Sequence, residues 1–172
     1  MSFKLFSQLL SDWRKATDQV EAVANNLPRI IGVESVRVIK ENFKLEGYDD
    51  GISFTPWEPR KEETNARYDK RTGVKGASFN SSNKILNQTE NLRDANQYTV
   101  NGRQVVVGVD LNVIPYGQIH NEGLQGKAWG KHPFKMKKRQ YIPVGKPNVK
   151  ILKAVRKKLT FEIGKAMKEF KK

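Results

Sequence analysis

His120-Asn121-Glu122 is the one triplet in this chain whose residue types and spacing suit chemistry. An H-x-E spacing occurs in zinc deaminases, which also need a P-C-x-x-C for the metal. The chain contains no cysteine, so that reading fails, as do thiol nucleophiles, thiolate metal sites and disulfides. His120 and His132 could share a metal with Glu122; the competing reading is two ordinary polar residues near a turn. Ser81-Ser82 has no organised base beside it in sequence, and Gly73, Gly76 and Gly102 make no phosphate-cradling spacing. No carboxylate pair stands out. The expectation is a protein that is not an enzyme and needs neither metal nor cofactor.

Charge is the stronger signal. Residues 1–123 hold 16 Lys/Arg and 16 Asp/Glu, whereas residues 124–172 hold 16 Lys/Arg against Glu162 and Glu169 alone. The whole formal charge of +14 therefore lies in the last 49 residues. Concentrated like charge destabilises a compact state, so a partner is the expected reason for it. The candidate contacts are Lys127, Lys131, Lys135, Lys137, Lys138, Lys153, Arg156 and Lys157. They suit phosphates, with salt-sensitive affinity, and equally the acidic surface of a protein. Neither a reading-helix signature nor an aromatic RNA-binding motif is present.

The elements that carry these residues read as an α+β fold, with all 172 residues in a single domain. Phe3, Phe6, Leu10, Trp13, Thr17, Val20, Ala24 and Leu27 alternate spacings of three and four, one face of a long helix. Pro28 closes it and opens a second helix across 29–46. From 47 to 83 the periodicity dissolves, and this stretch reads as a long flexible loop anchored by Phe54-Thr55-Pro56-Trp57. Asn101-Gly102 between Tyr98 and Val107 signals a β-hairpin with a type I′ turn, the core of a small antiparallel sheet. Pro115 to Glu122 reads as a short helix closed by Gly123. Phe134, Met136, Tyr141 and Ile142 within a lysine-rich stretch suit an edge strand. Leu152, Val155, Leu159, Ile163, Ala166 and Phe170 form one face of a C-terminal helix whose other face is lysine-rich. The N-terminus does not read as a secretory signal, and no stretch approaches the roughly 20 apolar residues that span a bilayer.

In this order the segments resemble the Mu-like virion morphogenesis proteins of tailed bacteriophages, also called tail completion or neck proteins. Phe43 followed by Phe54-Thr55-Pro56-Trp57-Glu58-Pro59-Arg60 is similar to the family's phenylalanine and W-x-P with a basic residue. Ile85 to Ala95 is similar to I-L-x-x-T-G-x-L-R-x-S, with Glu90 at the usual glycine. Tyr116 to Gly123 is similar to Y-A-x-I-H-x-x-G, with Gly117 at a common alanine. Met136 to Pro143 is similar to the M-P-x-R-x-F/Y-I/L stretch, with Lys137 at a common proline.

The resemblance implies a virion protein of the phage neck, assembled in the host cytoplasm. It implies a homo-oligomeric ring that joins the head-closure or connector protein to the tail terminator or tail tube protein around the DNA channel. Trp57, Tyr116, His120, Glu122, Arg139 and Tyr141 are the expected subunit or partner contacts; on the competing reading Tyr116, His120 and Glu122 only stabilise a helix end, and Arg139 and Tyr141 belong to a satisfied edge strand. The basic segment would face genomic DNA or an acidic neighbouring layer; no membrane partner is expected. The alternative from another class is a non-sequence-specific nucleic-acid-binding protein that uses the basic segment.

Overall fold

The computed structural model describes residues 3–58, 86, 91–128, 131–146 and 148–170. The expected loop beyond Glu58, Glu90, and the side chains of Phe3, Phe6, His132 and Phe170 lie outside the described residues. Among the described residues five helices and three antiparallel strand pairs make an α+β fold. Helix α1 spans Phe3–Asn25 and α2 spans Leu27–Leu45. Pro28 sits in the first turn of α2, where its missing N–H costs nothing. Helix α3 is the single turn Asn91–Asp94, α4 is Tyr116–Glu122 and α5 is Val149–Phe170. None of the described helices is long and apolar enough to cross a membrane.

Strands β1 (Gly47–Asp49) and β2 (Phe54–Pro56) pair inside the stretch expected to be loop. Three-residue strands are too short to print an alternation on the sequence, which is why periodicity missed them. Strands β3 (Gln97–Asn101) and β4 (Gln104–Gly108) form the expected hairpin, with Tyr98 opposite Val107 and Asn101 opposite Gln104. The turn lies one residue later than Asn101-Gly102. Asn101 still pairs, Gly102 alone takes a positive φ of 60°, and Arg103 completes the two-residue loop. Glycine at the first central position is what a type II′ turn needs. Strands β5 (Gln125–Ala128) and β6 (His132–Lys135) make a separate ribbon that packs mainly on itself. The expected edge strand is therefore only its Phe134 end, since 136–142 forms no strand.

Helix α2 is the centre of the fold. It packs on the β3–β4 hairpin, on β1 and on α5, while α1 packs chiefly on α5. Ile39, Phe43, Trp57, Leu92, Ile114 and Tyr141 form the core cluster. Gly32 lets the Tyr98 ring lie on the α2 backbone, for a Cβ there would sit 2.1 Å from the ring.

Helix α1 departs most from expectation. Its apolar stripe does not face the core: Leu10, Trp13, Thr17, Val20 and Ala24 are all exposed. The half-buried side is Asp12, Ala16, Gln19 and Val23, at the same helical spacing. On α5, Val155, Leu159, Ile163 and Ala166 are partly buried as expected, but Leu152 is exposed.

Candidate functional site

The segment Tyr116–Gly123 and the run 136–142 come together on one side of the core. Gly123 ends α4 in the left-handed conformation, with its N–H bonded to the Ile119 carbonyl. The chain then returns so that the Arg139 N–H donates to the His120 carbonyl at 2.8 Å. Asn121 is buried, and its Oδ1 accepts from the N–H groups of both Tyr141 and Ile142 at 2.9 Å. The Tyr141 hydroxyl donates to the Gly117 carbonyl at 3.1 Å, and its own carbonyl accepts from Asn42 Nδ2 at 3.1 Å. Tyr141 thus ties α4 to α2 with every polar group used, and burial raises its phenol pKa, with Tyr116 adding to the effect.

Three aromatic rings stack into this frame. Phe43 meets Trp57 edge-on at 5.5 Å and Tyr141 at 5.0 Å. The Trp57 indole donates to the Gln140 carbonyl at 2.7 Å. Lys137 pairs with the Glu58 carboxylate, and Arg139 Nη2 donates to the Glu58 carbonyl at 3.3 Å. Gly117 is fitted to this packing, since a Cβ there would lie 2.8 Å from Val109 Cγ2 and 3.0 Å from the Tyr141 hydroxyl. The departure from alanine in the resembling pattern thus has a local steric reason.

Trp57, Arg139 and Tyr141 are buried in the fold, where they hold it together. Tyr116 is exposed and stands edge-on to the His120 ring at 5.9 Å. Glu122 is exposed and accepts from Gln118 Nε2 at 3.1 Å. Among the described residues no three His, Asp or Glu side chains could hold a metal.

His120 is pushed down to about 4 by desolvation, with Arg139 nearby adding to the shift. The ring is neutral at physiological pH. A base whose folded pKa lies below its unfolded value contributes stability in full above about 6.5. That stability drains as pH falls from about 6.5 toward 4, because the unfolded chain takes up the proton first. The full shift corresponds to about 3 kcal/mol, discounted to on the order of 1–2 kcal/mol for a ring that is only partly buried. His120→Gln should flatten the dependence of urea-unfolding stability between pH 7 and pH 4.5; an unchanged slope would show that His120 does not cause it.

The basic segment divides. Lys127, Lys131 and Lys135 are exposed on the β5–β6 ribbon. Lys137 is engaged with Glu58, while Lys138 packs its Cβ over Gly123. Lys153 donates to the Gly51 carbonyl at 3.0 Å, and Arg156 and Lys157 stand exposed on α5. An open cleft of about 620 Å³ between α2 and α3 is lined by Arg37, Lys40, Glu41, Lys44, Arg93 and Asp94. Its acids and bases pair with each other, Lys40 with Asp94 at 3.7 Å and Arg37 with Glu41 at 3.8 Å.

Sequence reasoning missed the residues that make the frame: Asn42, Gly117, Asn121 and Asn148. Asn148 caps α5 by accepting from the Ile151 N–H at 3.0 Å and donates to the Asp49 carbonyl at 3.0 Å. Pro147-Asn148 before an apolar-periodic run was the available signal for that cap; a buried asparagine bridging distant segments leaves none. No family model, curated protein or solved structure matches this chain.

Proposed function

We propose that this protein is a structural subunit of a phage neck, a ring-forming tail completion protein that links the head-closure layer to the tail terminator or tube. The observation that carries the reading is the mismatch between its fold and its surface. The apolar stripe of α1 faces solvent, and among the described residues three separate two-stranded sheets leave strand edges unpaired. Such a surface is an interface awaiting a neighbour. The ordered resemblance of four segments supplies the setting. Residues 116–123 and 136–143 act as the scaffold that fixes the β5–β6 ribbon to the core, not as a reacting centre.

One observation favours the second reading, nucleic-acid binding: the ribbon presents Lys127, Lys131 and Lys135 with no acidic residue among 125–135. Deletion of the gene followed by electron microscopy separates the two. A neck subunit leaves filled heads and finished tails unjoined, and is found by mass spectrometry in wild-type particles. Joined particles without it, together with DNA affinity that falls steeply with salt, would replace the ring by the binder.

A further inference from the structure

Helix α1 carries its apolar residues on the wrong side for its own subunit. Trp13 is 64% exposed, Leu10 48% and Val20 42%. Beyond Lys15 the helix holds only acidic charges, Asp18 and Glu21, both exposed and in no ion pair among the described residues. Exposed aromatic and aliphatic side chains at helical spacing, with exposed Arg14 and Lys15 next to Trp13 and only acidic charge further along, describe one half of a contact.

The same chain carries the other half. The solvent side of α5 presents Phe161, also 64% exposed, and Met167, 42% exposed. Around them stand Arg156, Lys157 and Lys168, exposed and in no ion pair among the described residues. Within one subunit these surfaces do not meet, because α1 and α5 touch through their other sides.

We propose that the apolar stripe of α1 docks on the solvent face of α5 in a second copy of this chain. The inference deepens the ring reading and rests on it. Charge complementarity selects the occupant: the acidic C-terminal part of α1, beyond Lys15, against a basic edge on α5. The charges also fit whichever way the helices run. At about 1.5 Å per residue, Asp18 and Glu21 lie about 7 and 12 Å along the axis from Trp13. With Trp13 against Phe161, Lys157 lies about 6 Å to one side and Lys168 about 10 Å to the other. Two different surfaces meeting head to tail make a heterologous contact, the kind that closes into rings. The large aromatics are its expected energetic centre.

The absence of cysteine makes the test clean. Thr17→Cys and Thr160→Cys place one thiol on each exposed face and leave Trp13 and Phe161 in place. The two full-length variants are mixed in equal amounts and treated with a short bismaleimide. The 17–160 cross-linked dimer should exceed either homodimer at least tenfold. Trp13→Glu should abolish it, and Asp18→Lys with Glu21→Lys should cut it severalfold. Lys157→Glu with Lys168→Glu in the partner should then restore it. Circular dichroism checks that each variant is folded. Homodimers at 17–17 or 160–160, or no cross-link from folded protein, would overturn the interface. If the protein is nevertheless found at the neck, the ring reading survives and only this contact falls. A 17–160 cross-link in a protein missing from particles would remove the ring reading and keep the self-association.

Discussion

Asn121→Ala is expected to destabilise the protein by about 2–5 kcal/mol. One side-chain oxygen accepts two backbone N–H groups, from Tyr141 and Ile142, and Asn121 and Tyr141 are both buried. Truncation leaves two donors without a partner, and each buried unsatisfied group costs about 1–3 kcal/mol. The loss should spread. Without that anchor the run 136–142 loosens, and with it the contact of Tyr141 on Phe43 and the Trp57 indole bond to Gln140. Urea unfolding with tryptophan fluorescence reads the effect. Glu122→Ala, one residue on and exposed, is the control and should stay within about 0.5 kcal/mol. Equal stabilities for the two variants would show that α4 is not the anchor.

Gly51→Ala is expected to cost about 2–4 kcal/mol and to loosen α5 in particular. Gly51 has a φ of 88°, and a Cβ there would lie 2.3 Å from the Lys150 backbone nitrogen. Around it the β1–β2 turn grips the start of α5. Lys150 N–H donates to the Asp50 carbonyl at 3.0 Å, and its ammonium reaches Asp49 at 2.9 Å and Glu41 at 3.3 Å. The Lys150 hydrogen bond is the main reason that the Asp49 carboxyl is held below the usual range. A methyl at Gly51 combines positive-φ strain with a clash against backbone, which cannot rotate away as a side chain can. Limited proteolysis should cut α5 sooner in the variant than in wild type. An unchanged cleavage rate would mean that α5 is held elsewhere.

Helix existence was legible in the residues because helices print a period. The alternation of three and four marks α1 and α5, Pro28 marks the boundary after α1, and Gly123 marks the end of α4. The hairpin was legible from Gly102, although its turn slipped by one position because the residues that actually pair, not the dipeptide, set the register. The grip of the turn on α5 was not legible. It depends on Asp49, Gly51, Asn148 and Lys150, which are about a hundred residues apart in chain but adjacent in space.

Local order alone thus determined where chain turns and coils, and where charge accumulates: spacing, proline, glycine and the lysine count act over a few residues. Tertiary structure decided which side of each helix is inside. The α1 stripe satisfies every rule for a core face and yet faces water, because α5 already fills the position beneath the opposite side. Trp57 and Tyr141 are core residues, because their rings close on Phe43. Amphipathicity states that a face must be covered; only the arrangement of neighbouring elements determines whether the cover comes from the same chain.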